Sequence, residues 1–331
     1  MHSVSTRAPR AIRPPLAALV TILTISAAAS LQAGIIYRQG LTAEWLLDDP
    51  GDNAPPITGN FELIDENSSG TFQANAPVPF GSGSTSLEIS FDPATATFRS
   101  TSDTRARQSG LNQGPGWQSL QVRGFQSIRF DDMISVDNRV VGIGFVHFYL
   151  VATGSVGLNN AIIAPPDSFA PIDTSTAVVF NLDGGAPGVE DHAFGRVDKA
   201  KAHDCLGDGI CSFSEADPVV ENLELLVPFN QGDPFPLRFS LTEAAFLNGT
   251  VVDATEVNMQ VRNDLSSTMK LYADVYDSNM NLIPGLQVTS AEGVTYRNFT
   301  SSPSQVPEPG TMALAGIALL GLAAFGKRSA R

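Results

Sequence analysis

Along much of this chain every second side chain is apolar. Leu223, Leu225, Val227 and Phe229 form one such series, and Leu237, Phe239 and Leu241 form the next. Val257, Met259 and Val261 follow, then Met269, Leu271, Ala273 and Val275, with mostly polar residues between. Successive side chains of a strand point to opposite faces, so a period of two marks a half-buried strand, whereas a helix repeats at about 3.6. Turn formers separate the series: Asn248-Gly249, Asp264 with Ser266-Ser267, and Ser278-Asn279. Val140 to Val151 is apolar on both faces, which predicts a central strand covered from both sides. Ser127 to Phe130 and Ala177 to Leu182 read as further strands. Residues 34 to 126 hold strand-like pieces at Phe61–Ile64 and Leu87–Phe91 among prolines, glycines and Ser/Thr-rich stretches, which predicts long surface loops. Short strands without alternating helices predict an all-β fold: an antiparallel β-sandwich of jelly-roll type, built as one domain from residues 34–304. An apolar share of 43% in 331 residues is enough to fill such a core.

The two ends have a different composition. The N-terminus carries Arg7, Arg10 and Arg13, an apolar run from Leu16 to Ile25, and small residues up to Ala33. A basic start, a short apolar run and small residues at a cleavage point make a secretory signal peptide over residues 1–33, cut after Ala29 or after Ala33. The C-terminus runs Val306-Pro307-Glu308-Pro309-Gly310-Thr311, then an apolar segment from Met312 to Phe325, then Lys327, Arg328 and Arg331. A helix from Thr311 to Gly326 spans about 24 Å, slightly short of the roughly 30 Å hydrocarbon layer, and Lys327 and Arg328 fix its end in the cytoplasm. A C-terminal transmembrane helix is therefore expected. The whole chain carries a net charge of −14, and since residues 1–33 and 311–331 are basic and free of acid, the segment between them is more acidic still. Such a body repels phosphate backbones, which argues against nucleic-acid binding.

In its order of motif, apolar run and basic end, the tail over residues 305–331 resembles the PEP-CTERM sorting signal of exported bacterial proteins, a tail also labelled an ice-binding protein C-terminal domain. The resemblance implies processing near Pro307-Glu308-Pro309 by an exosortase, a membrane cysteine protease/transpeptidase. It further implies a Gram-negative producer, an inner-membrane intermediate, and delivery to the cell surface or a polysaccharide-rich extracellular matrix such as a biofilm. Nothing in the residues themselves points to ice.

Candidate chemistry in the body is sparse. Cys205 and Cys211 are the two cysteines, and in an exported chain they are expected to form one local disulfide. The segment around them resembles a calcium loop of the EF-hand or dockerin type, with Asp204, Asp208, Ile210 (through its carbonyl), Ser212 and Glu215 at ligand positions. Leu206 stands where a third acid or amide belongs and Pro218 forbids an exiting helix, so an acidic surface turn is the alternative. His147 falls within the apolar strand and reads as a hydrogen-bonded core residue; His192 and His203 match no zinc spacing. The doublets Asp48-Asp49 and Asp131-Asp132 sit on strands, where neighbours face opposite ways, so neither is a glycosidase pair. No nucleophile elbow, phosphate loop or dinucleotide fingerprint is present.

The expected function is that of a non-enzymatic surface or matrix protein associated with glycan, with Trp45, Trp117, Tyr272 and Tyr276 as aromatic contacts for sugar. A secreted polysaccharide-active hydrolase is the alternative. N-terminal sequencing of the exported protein is expected to begin at Ser30 or Gly34; a sequence beginning at Met1 rejects the signal peptide.

Overall fold

A computed structural model describes residues 34–48, 56–66, 68–109, 117–136, 142–163, 169–185, 190–206, 210–252 and 255–299. Thirteen strands lie among them: β1 (Gly34–Asp48), β2 (Ile57–Glu66), β3 (Gly70–Val78), β4 (Gly81–Asp92), β5 (Thr97–Ser109), β6 (Trp117–Val136), β7 (Ile143–Ile163), β8 (Phe169–Gly184), β9 (Asp191–Leu206), β10 (Ile210–Asn230), β11 (Phe235–Val252), β12 (Glu256–Tyr276) and β13 (Val288–Ser290). They form two antiparallel sheets. The first has the order β2-β1-β6-β11-β8-β9, with β13 beside the end of β6; the second has the order β10-β7-β12-β5-β4-β3. Between β5 and β12 the pairs are β5–β12, β6–β11, β7–β10 and β8–β9, the winding of a jelly roll. Across the sandwich β9 lies over β10, β8 over β7, β11 over β12 and β6 over β5.

The inward side chains follow the period of two read from the sequence, and all four alternating series are buried. They build two apolar clusters rather than one. The larger contains Phe98, Phe130, Phe148, Phe180 and Phe239; the smaller contains Leu41, Leu87, Leu120, Val122, Leu247 and Val257. Phe98 stacks against Phe91 at 4.3 Å between ring centroids and lies tilted against Phe239 at 4.2 Å.

A belt of buried polar residues separates the clusters. In β1 the inward series runs Tyr37, Gln39, Leu41; in β6 it runs Val122, Gly124, Gln126, Ile128; in β11 it runs Leu241, Glu243, Ala245. Ser100, Ser102 and Thr104 occupy the same level in β5, Asn263 in β12 and Thr176 in β8. Gln126 donates its Nε2 to Ser100 Oγ at 2.8 Å and to Glu243 Oε2 at 3.1 Å, and accepts from Gln39 at 3.3 Å. Ser100 also bonds Glu243 Oε1 directly, and Thr176 donates to Asn263 at 3.0 Å. Glu243 is 1% exposed, and burial outweighs these bonds and raises its pKa.

Several strands are longer than the sequence predicts. Asn248-Gly249 is not a turn but lies inside β11, where Met259 Cε occupies the space of the missing side chain, 2.9 Å from where a Cβ would stand. Asp264 to Thr268 is a register shift within the continuous β12 rather than the end of a strand. Ser278-Asn279 is a turn, as expected. Residues 34–126 are mainly strands β1 to β5 and the start of β6, not long surface loops. The strand predicted over Val140–Val151 is covered by the other sheet on one face only: Val146, Phe148 and Leu150 are buried, while Phe145, His147 and Tyr149 face outward and are half-buried. The expected C-terminal helix lies outside the described residues.

Glu243 gives the stability a definite pH dependence. The unfolded chain releases this proton near the ordinary carboxylate pKa, whereas the folded protein retains it to higher pH. Its contribution is therefore complete at acid pH and is lost as pH rises through the folded-state value. Glu243→Gln preserves the hydrogen-bond pattern of the protonated acid without an ionisable group. Thermal unfolding is expected to show the variant about 1–3 kcal/mol more stable than the parent at pH 8 and equal to it at pH 4. Equal destabilisation at both pH values refutes this account.

Candidate functional site

An open cleft of about 680 Å³ lies on the first sheet. It is formed where the ends of β1, β2, β6 and β11 come together, and Glu44, Asn60, Gln121 and Asn248 contribute to its lining. Strand register places these four in one row: Glu44 lies opposite Asn60 on one side and Gln121 on the other, and Gln121 lies opposite Asn248. Thr58, Leu46 and Ser119 make the next row. Among the described residues Glu44, Asn60 and Asn248 make no side-chain hydrogen bond or ion pair. Some polar groups elsewhere on the surface are engaged. Arg129 and Arg238 hold Asp131 at 2.8 and 2.6 Å, and Arg105 and Gln260 hold Asp103. The cleft therefore combines amide, hydroxyl and carboxylate groups available to a hydroxyl-rich ligand.

Trp45 also borders the cleft, but it is no open platform. It is inward-facing and half-buried against the smaller apolar cluster, and its ring lies over Gly59 of β2. A Cβ at Gly59 would stand 2.2 Å from Trp45 Cζ2, so this close packing requires glycine.

The outer face of the second sheet carries the other aromatic group. His147 Nδ1 lies 2.6 Å from the Tyr149 hydroxyl and its Nε2 lies 3.3 Å from Glu224. Burial pushes the His147 imidazole below its ordinary pKa despite Glu224 and Asp274 beside it, and burial with the nearby Tyr276 raises the Tyr149 phenol. This patch is covered by the last described segment. Tyr296 donates its hydroxyl to the buried Asp132 at 2.8 Å, and Arg297 pairs with Tyr272 in parallel. The Phe299 backbone N–H donates to Asp274 at 3.1 Å, and its ring stacks on Tyr149 at 4.4 Å. Tyr272 meets Phe299 edge-on at 5.4 Å. Tyr272 and Tyr276 are thus half-buried on the sheet opposite Trp45, and these aromatics form no single platform for sugar. The Trp117 side chain lies outside the described residues.

The remaining candidates are dispersed. His147 is hydrogen-bonded as expected but on an outer face rather than in the core. Asp131 and Asp132 point to opposite sides, Asp131 to the arginines and Asp132 to Tyr296. Asp48 ends β1, and Asp49 is not among the described residues. His192 is exposed on β9. The twelve residues from Asp204 to Glu215 do not form one continuous loop, because β9 runs to Leu206 and β10 begins at Ile210. Ser212 is exposed on β10, and Glu215 accepts from Lys199 at 3.3 Å. Asp208 and the side chains of His203, Asp204, Cys205 and Ile210 lie outside the described residues. Lys199 also bonds Asp217 at 2.6 Å, and Lys201 lies over the Phe213 ring at 4.8 Å, closing the seam between edge strands of the two sheets. Cys211 packs against the smaller cluster at the end of this seam. The signal peptide and the tail residues Val306, Pro307, Glu308, Pro309, Met312, Phe325, Lys327 and Arg328 also fall outside the described residues. Among those that are described, no helix is long and apolar enough to cross a membrane.

The row of Glu44, Asn60, Gln121 and Asn248 escaped the sequence reading because strand register alone assembles it. Residues 305–328 match the PEP-CTERM protein-sorting motif, so the chain carries that motif. No curated protein matches the chain. Among solved structures, a carbohydrate-binding module of the β-sandwich superfamily is 10% identical over 72% of this chain and 86% of its own, with a TM-score of 0.12. A mutant VP2 protein of infectious bursal disease virus, from T=1 particles, is 11% identical over 89% and 86%, with a TM-score of 0.11. Superpositions this poor carry no inference about fold or ligand.

Gly59→Val forces the Trp45 ring from its seat. The variant is expected to lose about 1–3 kcal/mol and to show altered tryptophan emission in the folded state. Unchanged stability and emission would mean that Trp45 does not pack there.

Proposed function

We infer that this is an exported surface or matrix protein, sorted through its C-terminal tail, whose β-sandwich binds polysaccharide without cleaving it. The sorting motif at residues 305–328 carries the reading. Residues 1–33 direct export, the segment from Met312 to Phe325 holds the intermediate in the inner membrane with Lys327 and Arg328 inside, and an exosortase processes the chain near Pro307-Glu308-Pro309. The body of residues 34–304 is then released to the cell surface or extracellular matrix. Cys205 and Cys211 form a disulfide at the corner between β9 and β10, adding a covalent link where Lys199 already joins the two sheets.

Binding is favoured over hydrolysis by the cleft itself. Among the described residues its lining includes one carboxylate, Glu44, whereas glycoside hydrolysis generally takes two on either side of the bond. Its amides and hydroxyls suit hydrogen bonding to sugar hydroxyls. Calcium remains the alternative occupant for Asp204, Asp208, Ile210, Ser212 and Glu215, in competition with the Lys199 ion pair at Glu215.

Intact mass measurement of the protein from the producing cell is expected to show a chain lacking both ends, trimmed near Pro307, with cysteines that resist alkylation until reduced. Replacing Pro307-Glu308-Pro309 by alanines should leave the full tail on a membrane-bound form. A full-length cytosolic chain rejects the proposal. Reducing ends released from the producer's polysaccharide by the purified protein would favour the hydrolase.

A further inference from the structure

The polar row in the cleft has a chemical preference as well as a shape. Its residues come from four adjacent strands, which lie about 4.8 Å apart, close to the roughly 5 Å advance of one sugar along an extended glycan. A chain crossing the strands therefore meets one polar group per sugar. Gln121 accepts a bond from Arg123 at 2.9 Å through Oε1, which leaves its amide nitrogen as donor. Asn60 and Asn248 offer both donor and acceptor, and Glu44 accepts from paired hydroxyls. Among the described residues no lysine or arginine lines the cleft. Arg123 lies over the Phe246 ring at 5.4 Å as well as bonding Gln121. On β8 the row continues with another acid, Asp173, opposite Asn248. An anionic sugar laid here meets carboxylates without a lining cation, in a protein of net charge −14.

We propose that this cleft takes an uncharged, hydroxyl-rich polysaccharide laid across the strands, with its sugars on Asn60, Glu44, Gln121 and Asn248, and discriminates against uronate-bearing chains. The proposal rests on the glycan-binding reading above and narrows its ligand class. Specificity follows from what is absent as much as from what is present. Neutral hydroxyls satisfy the open amides, whereas a uronate adds like-charge repulsion against Glu44 and Asp173.

Affinity electrophoresis of the exported protein, in calcium-free buffer, tests this. The gels contain hydroxyethylcellulose, alginate, or the neutral and acidic fractions of the producer's own extracellular polysaccharide separated by anion exchange. Retardation is expected with a neutral polymer and not with alginate or the acidic fraction. Asn60→Ala combined with Asn248→Ala should weaken it at least tenfold while the thermal midpoint stays unchanged; both side chains lack described partners, so their removal should not disturb folding. Glu44→Lys should permit retardation by alginate. Retardation only by the acidic polymers, or neutral retardation indifferent to the double substitution, overturns this proposal and leaves glycan binding standing. No retardation by any polymer overturns both.

Discussion

The polar belt across the sandwich is the constraint on which the rest of the structure depends. A wholly apolar interior between two long sheets would tolerate a strand sliding by two residues, because such a slip restores the same faces. The belt removes that freedom. Gln126 must find Gln39, Ser100 and Glu243 at once, and a shift of any of these strands leaves hydrogen-bonding groups buried without partners. The residues come from β1, β6, β5 and β11, so one network ties together neighbours within the first sheet and the facing sheet. Register at the belt in turn fixes register elsewhere along β1, β6 and β11, including the alignment of Glu44, Gln121 and Asn248.

The same belt explains what the sequence concealed. The apolar alternation of Leu237, Phe239 and Leu241 is plain, but the next inward residue is Glu243, which breaks the apolar series; Ala245, Leu247 and Val251 continue it. In β12, Asn263 interrupts an inward run that resumes at Leu265, and together with the irregularity after Asp264 it makes one strand read as two. In β5 the inward residues are Phe98, Ser100, Ser102, Thr104, Ala106 and Gln108, so a buried strand has the composition of a loop. Fold class and much of the apolar core were legible because burial leaves a local, periodic trace. The cleft was not, because its four polar residues acquire meaning only through pairings between distant segments. The aromatic candidates were assessed by type alone, and type does not reveal that Trp45 lies on Gly59 or that Phe299 covers Tyr149.

Two kinds of information therefore coexist in the chain. The sorting motif at residues 305–328 is read as a contiguous string and specifies handling by other proteins. The body's surface chemistry is written in three dimensions, with residues of β2, β1, β6 and β11 meeting side by side. The first survives insertion or deletion in the body; the second depends on every register between those strands.

The segment that leads from the body toward the tail also has a mechanical meaning. Arg297 runs parallel beside Tyr272, with the Tyr296 hydroxyl on Asp132 behind it and Phe299 on Asp274 and Tyr149 ahead. The last described residues are fastened to both sheets, Tyr296 to β6 of the first and Arg297 and Phe299 to β12 and β7 of the second. The exit from the sandwich is thus built like a cleat.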